Sequence, residues 1–346
     1  MAGPKLGPLS RRENNGFVHQ AYILYALRLL ADGEIPGLGP SVSVPEYDVR
    51  IRLNSMPAGL GSRQRALWYE GNSLNIWRIV PEGDFHFVYT DGTEFLIQAD
   101  GKQIRCSWPE QATVTDTAVY LRGPVLGMVL RLHGVVCLHA SAVAVHGSAI
   151  AVMGDSGAGK STAAAGFVKL GFPVLADDVA ALRQEAGRFQ VLPGYPQLNL
   201  WPDAAEALYG SDSLPRIMPS DGINDWWDKR YLALDIDRQF HRNPLPLAAV
   251  YVLGARVSDE DAPRIEPLPA KDALIELTGL TYVNYALDKA MRVLEFETLS
   301  QLVRTVPVRL VTPHNNPARV MDLCEMILRD HETLPPLTSR SAPVPI

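Results

Sequence analysis

Between residues 42 and 114, short runs of apolar, β-branched and aromatic residues alternate with turn signals. Runs at 47–53, 85–89 and 94–98 are separated by Glu82-Gly83-Asp84, Asp91-Gly92 and Asp100-Gly101-Lys102. Strands of that length with that punctuation predict a small β-rich region. Its tryptophans and tyrosines read as core rather than as stacking platforms for a ligand, because large aromatics are usually buried. Ahead of it, Asn14 and Asn15 read as caps of an amphipathic helix running to about Leu30.

The period changes after Val114. Leu121, Val125, Met128 and Leu132 recur at three- to four-residue spacing and predict a helix over 117–131, capped by Thr115 or Asp116. Gly123-Pro124 lies inside it, so the helix either breaks there or begins at Pro124, where a first-turn proline is tolerated. Two apolar runs, 135–145 and 149–153, flank His146-Gly147 and predict a strand pair joined by a two-residue turn. A short helix follows at 161–170, stopped by Gly171 and Pro173, and then a buried strand within 173–182. Strand, glycine-rich loop, helix, strand is an α/β nucleotide-binding order. Farther along come a helix at 203–209, a polar loop at 211–229, a strand at 248–253 and helices at 270–278 and 285–303. A strand at 308–311, a helix at 317–329 and a Pro- and Ser-rich tail at 334–346, predicted to be disordered, complete the chain.

Composition narrows the class. With 47% hydrophobic and 20% charged residues, most of the chain is too apolar to be disordered. Its 346 residues suit about two domains. The expected division is an N-terminal helix plus β-rich domain over 1–115, a catalytic α/β domain over 116–333, and the tail. Lys+Arg 32 against Asp+Glu 38 leaves a net charge of -6, which lacks the basic footprint that nucleic acid demands of a main partner. Cys106, Cys137 and Cys324 are far apart and odd in number, so they read as buried free thiols in a reducing cytoplasm. The apolar run 21–27 follows Arg11 and Arg12 but is broken by Arg28, with no cleavage site after it, unlike a signal peptide. The run 135–153 contains His139, His146, Gly147 and Ser148, which argues against a membrane span. The expectation is a soluble, cytoplasmic protein without membrane or nucleic-acid partners.

Gly154-Asp155-Ser156-Gly157-Ala158-Gly159-Lys160-Ser161-Thr162 satisfies the P-loop pattern G-x-x-x-x-G-K-[ST]. Glycines allow torsions that aim successive N–H groups inward as an anion cradle, and the following helix adds its positive end. Lys160 is placed to reach β- and γ-phosphates, and the Ser161 hydroxyl to ligate Mg²⁺. The acidic pair Asp177-Asp178 ends the next strand. Neighbours on a strand face opposite ways, so one carboxylate can serve as a base while the other stands near the metal.

The segments His139-Ala140-Ser141-Ala142-Val143-Ala144-Val145-His146-Gly147, Gly154 to Thr162, and Gly171-Phe172-Pro173-Val174-Leu175-Ala176-Asp177-Asp178 together resemble the catalytic domain of HPr serine kinase/phosphorylase. The likeness is strong over 135–182 and weak elsewhere. It implies an α/β P-loop kinase domain of the type shared with phosphoenolpyruvate carboxykinase, joined here to a smaller β-rich domain. It also implies that Asp177 is the catalytic base for a serine hydroxyl, that His139 stands beside the reacting phosphates, and that Asp178 lies near the metal. His146 receives no role. Family members are often hexameric, so a homo-oligomer is implied too.

The departures are as informative. The family carries a downstream signature with a glutamate and an arginine, whereas the comparable stretch here, Gly194-Tyr195-Pro196-Gln197-Leu198-Asn199-Leu200-Trp201-Pro202, has neither. That puts the reverse, phosphorylase activity and HPr itself as substrate in doubt. Lys229-Arg230, after the polar loop, is a candidate replacement for the missing positive charge at the transferring phosphoryl group. The overall layout is similar to kinases that phosphorylate lasso-peptide precursors. The expected activity is transfer of the γ-phosphoryl group of Mg·ATP to a serine of a peptide or small protein. The alternatives are a small-molecule kinase and a nucleotide-binding regulatory module without transfer.

Overall fold

The predicted β-rich region pairs into one eight-stranded sheet in the computed structural model, which describes residues 19–210, 214–219, 227–335 and 337. Its strands are β1 (Gln20–Leu24), β2 (Leu27–Ala31), β3 (Val49–Arg52), β4 (Arg65–Glu70), β5 (Leu74–Ile79), β6 (Phe85–Tyr89), β7 (Glu94–Ile97) and β8 (Gln103–Ser107). They lie in the order β1-β2-β3-β8-β7-β6-β5-β4, antiparallel except that β3 runs parallel to β2 and β8. The helix expected up to Leu30 is therefore a hairpin. Tyr22, Leu24, Leu29 and Ala31 are buried at alternate positions, a period of two that a short apolar run does not distinguish by itself from a helix. Its turn residues, Tyr25 and Ala26, both take positive φ (54° and 63°), the geometry of a two-residue hairpin. The expected caps Asn14 and Asn15 lie outside the described residues.

The connecting helix comes in two pieces. α1 (Val114–Tyr120) is capped by Thr113 rather than by Thr115 or Asp116. The Thr113 N–H donates to the Asp116 carboxylate at 2.8 Å, and the Asp116 N–H donates back to the Thr113 hydroxyl at 3.4 Å. The two groups satisfy each other's free donors, as in a capping box. At Gly123 the backbone leaves helical torsions (φ -93°, ψ -111°), next to Pro124, which has no N–H to give. α2 (Leu126–Leu132) then resumes.

The second sheet carries the motifs. In chain order its part of the molecule runs β9 (Val136–Leu138), β10 (Ala140–Val145), β11 (Ser148–Met153), α3 (Lys160–Lys169), β12 (Val174–Ala176), β13 (Ala180–Glu185), β14 (Arg188–Leu192) and β15 (Gln197–Leu200). There follow α4 (Pro202–Tyr209), β16 (Arg230–Ala233), β17 (Leu245–Leu253), β18 (Arg264–Pro267), α5 (Ala270–Gly279), α6 (Lys289–Thr305), β19 (Val308–Thr312) and α7 (Val320–Thr333). The main path of the sheet is β12-β10-β11-β17-β14-β13-β9, with β19 beside β17, β18 beside β19, and β15 paired with β16 as a separate ribbon. The helix expected from 285 begins at Lys289, where the Asp288 side chain caps it. The polar loop 211–229 and the tail 334–346 fall largely outside the described residues.

This sheet turns back on itself. β9 and β13 stand at one end of the strand order, β10 and β12 at the other. Yet β9 runs into β10 through His139 alone, and β12 runs into β13 through residues 177–179. The two ends therefore meet at His139 and the acidic pair. The buried strand expected within 173–182 is thus two strands, broken where the carboxylates stand. On one face, α3 and α7 pack around Phe167, Cys324 and Ile327; the other face shares a single hydrophobic core with the first sheet. All three cysteines are buried free thiols, as expected. Among the described residues, no helix is long and apolar enough to cross a membrane.

Candidate phosphate-binding site

The glycine-rich loop joins β11 to α3, and its shape depends on its glycines. Gly154, Gly157 and Gly159 take φ of 149°, 81° and 109°. A Cβ on Gly154 would lie 2.9 Å from that of Ala158 and 3.0 Å from the Leu253 carbonyl oxygen, so no side chain fits there. Lys160 opens α3 with its ammonium arched back over the loop, donating to the carbonyls of Gly154 (2.8 Å) and Asp155 (3.0 Å). Burial lowers the pKa of this lysine, opposed by the nearby charges of Asp178 and Asp177. The result is a cation held over a cradle of main-chain N–H groups at a helix start, which suits polyphosphate oxygens.

The acidic pair divides at the strand end. Asp177 is buried, and its Oδ1 accepts hydroxyl hydrogen bonds from Ser141 (2.5 Å) and Ser161 (2.9 Å), while its Oδ2 accepts the Asn199 N–H (3.2 Å). Asp178 sits at the tip of a tight turn: its φ is 61°, and the Val179 N–H donates to the Asp177 carbonyl at 2.7 Å. A positive φ on a non-glycine residue is sparsely populated, and such strain tends to gather where a side chain must be aimed. Here it turns the second carboxylate out of the strand direction and into the hollow beside the loop. Burial and the Asp178 charge raise the pKa of Asp177. For Asp178, burial is outweighed by the positive charges of Lys229 and Lys160, which hold it below its ordinary value. The pair thus splits: Asp178 gives up its proton readily, and Asp177 holds its own longer.

The remaining expected residues are placed unequally. His139 Nε2 lies 3.9 Å from Asp178 Oδ1, and its ring meets Tyr282 edge-on at 5.5 Å. Burial, then Lys160, pushes its pKa down to about 4, so the imidazole is neutral at neutral pH. Lys229 lies near both Trp201 and Trp227, its ammonium 5.5 and 5.9 Å from the ring centroids, and it borders the same hollow. Arg230 does not join it. It opens β16 and bonds Asp228 at 3.0 Å, which also pairs with Arg216. His146 occupies the β10–β11 turn against Phe172, away from the loop.

Two larger hollows flank this central one. The first, 420 Å³, opens between the two sheets and is walled by aromatic rings: Tyr69 against Tyr285 (4.4 Å between centroids), Tyr89 stacked on Tyr120 (3.8 Å), and Trp227 beyond. His139, Asp178, Asn199 and Lys229 border both it and the central hollow. The second, 210 Å³, lies across Gly157, Gly159 and Thr162, with Arg256, His314 and Arg319 on its rim. Sequence reasoning missed Ser141, Gln197, Asn199 and Arg122. The signal for three of them was present: a serine among alanines in β10, and two amides at alternate positions of a strand buried throughout.

No family model matches the chain, and no curated protein matches it. Among solved structures the chain is similar to the HPr(Ser) kinase/phosphatase from Coxiella burnetii, at 15% identity and a TM-score of 0.31, over 57% of this chain and 95% of the other. The mixed α/β build is compatible with that neighbour, but a likeness this loose assigns no activity. The donors present fit a nucleotide's phosphates and its magnesium. Mg²⁺ is commonly held by one or two carboxylates with substrate phosphates and water, and Ser161 with the acidic pair supplies such a partial shell beside the cradle.

Proposed function

We propose that the chain is a phosphotransferase that moves the γ-phosphoryl group of Mg·ATP to a hydroxyl, the acceptor being a serine of a peptide or small protein. The observation that carries this is the position of Asp178, turned into a hollow that joins the phosphate cradle to the aromatic chamber. In this reading Lys160 and the loop N–H groups hold the phosphates. Ser161 faces Mg²⁺, fixed in place by Asp177, and magnesium, when bound, neutralises the phosphate oxygens and orients them. We assign the base to Asp178 rather than to Asp177, whose oxygens are already engaged by two hydroxyls and a main-chain N–H. The acceptor oxygen bonds to the γ-phosphorus as the bond to the β,γ-bridging oxygen breaks. ADP leaves, and the acceptor proton passes to Asp178. His139, neutral, and Lys229, positive, flank the transferring group, where positioned charge contributes most.

The nucleoside end belongs in the hollow rimmed by Arg256, His314 and Arg319, on the side of the loop away from the chamber. A small hydroxyl compound is the second reading of the acceptor, favoured by a chamber volume of 420 Å³, within the roughly 300–1,000 Å³ of small-molecule sites. The test is mass spectrometry after incubation with Mg·ATP, serine-containing peptides and small hydroxyl compounds. Wild type should add a phosphoryl-sized mass to one acceptor, and Asp178→Asn should add none while still binding ATP. ATP binding without transfer to either class would leave the nucleotide-binding module in its place.

A further inference from the structure

β15 is buried at every position, yet it carries two amides on one face, and the helix break at Gly123 points a guanidinium at them. Arg122 is 5% exposed and, among the described residues, has no carboxylate partner. Its Nε donates to the Ala118 carbonyl at 3.1 Å, and its Nη1 donates to the Pro36 carbonyl (3.1 Å) and to Gln197 Oε1 (2.7 Å). A guanidinium has only donors, so Gln197 must present its oxygen to it. The Gln197 NH₂ is thereby committed to the other side, where it donates to Asn199 Oδ1 at 2.7 Å. That in turn leaves Asn199 only its NH₂ to offer the hollow that it lines together with Asp178. An amide alone can flip; two amides in series behind a fixed cation cannot.

We propose that Arg122, Gln197 and Asn199 form a one-way hydrogen-bond relay that keeps a donor aimed at Asp178, which makes Arg122 and Gln197 positioning residues for phosphoryl transfer. This rests on the reading of Asp178 as the base. The first sheet takes part as well. Gly37, at φ 82°, lies so close that a Cβ there would stand 1.6 Å from Arg122 Nη1 and 2.5 Å from Gln197 Oε1. The loop carrying Pro36 and Gly37 closes the relay from the side of the first sheet.

Gln197→Glu tests it, since a carboxylate still accepts from Arg122 but has no N–H for Asn199. Asn199 must then turn its NH₂ toward residue 197 and its oxygen toward Asp178. With turnover of Mg·ATP to ADP as the rate, we expect about a 10- to 100-fold loss of kcat. Nucleotide affinity and melting temperature should stay at the wild-type level. Arg122→Met should lose a similar amount, Arg122→Lys less, and the Arg122→Met/Gln197→Glu pair no more than the worse single change, because links of one chain fail together. In ¹⁵N spectra of wild type, the Asn199 side-chain amide should exchange slowly with solvent and move in Gln197→Glu. Wild-type kcat in Gln197→Glu, an unmoved Asn199 amide signal, or equal losses in kcat and nucleotide affinity would overturn the relay. A responsive Asn199 signal with no turnover in any form, wild type included, would uphold the geometry and overturn the phosphotransfer reading instead.

Discussion

The two hollows on either side of the glycine loop are built from opposite materials. The one between the sheets is larger and walled by tyrosine and tryptophan; the one over Gly157 and Thr162 is smaller and rimmed by arginine and histidine. Aromatic walls gain by excluding water from an apolar body, while an exposed basic rim attracts charge and screens easily. The proposed transfer would use both: a dry side where the acceptor hydroxyl is stripped of water, and a wet side where the nucleotide enters and ADP leaves. Lys160, Ser161 and the acidic pair stand between the two, and in the proposed reaction they would serve both halves.

The deepest way to break this comparison is to remove what both sides share. Lys160→Ala should lower turnover by about 10²–10³-fold or more, as loss of a preorganised charge at a transferring group does. Activity near wild type in that variant, read as ADP formation, would sink the phosphate assignment. Asp178→Asn should approach the same loss of rate with ATP affinity intact. Asp177→Asn, which removes the negative charge behind the Ser161 hydroxyl, should instead raise the Mg²⁺ concentration needed for half-maximal rate.

Smaller effects sharpen the division between the sides. Tyr285→Ala, in the aromatic wall, should raise the acceptor KM by about tenfold without changing nucleotide Kd, since truncating a well-packed aromatic anchor costs on the order of 1–2 kcal/mol. Arg256→Ala should do the converse, weakening ATP severalfold and leaving acceptor KM alone, with the effect shrinking as salt rises. Calorimetric titration of ATP and steady-state kinetics on the acceptor separate the two. If either change moves both constants equally, the hollows do not divide the substrates.

The smallest effect is one of pH. Folding lowers the pKa of His139 to about 4 from an ordinary 6.5, so the unfolded chain binds that proton first. Its contribution to stability is complete above about pH 6.5 and is lost progressively toward pH 4. The raised pKa of Asp177 acts in the opposite sense, favouring the folded state as pH falls. A series of melting temperatures from pH 7 to pH 4 should show His139→Gln declining less steeply than wild type. Parallel curves would mean that the imidazole is not buried as described.

Much of the second sheet was legible because its signals are local. A glycine loop followed by a lysine and a helix, or His146-Gly147 between apolar runs, needs no distant partner to be read. The N-terminal hairpin was misread because residues 21–27 are apolar without a break, and only pairing with β3 and packing of Tyr22 and Leu29 select the strand period. In the site, the expected motif residues come together around one hollow, but the division of labour between Asp177 and Asp178 depends on one left-handed residue and on Ser141, 36 positions away. Arg230 was grouped with Lys229 by adjacency, and its ion pair with Asp228 keeps it from the hollow that Lys229 borders. Arg122 was invisible because nothing local to it is chemical; its meaning comes from Gln197, 75 residues on.

The core that runs without interruption from Tyr22 to Val308 has a bearing on how the molecule comes apart. Neither sheet has an inner face of its own that could stay dry alone, since each is the other's cover. Heat or denaturant should therefore melt the chain in one cooperative step for both sheets, with no plateau between them. A fragment starting near residue 116 would expose the apolar face that Phe87, Phe95 and Ile97 help to bury and should aggregate rather than work as a free-standing enzyme. What looks like an accessory domain attached to the sheet that carries the site would then be half of its foundation.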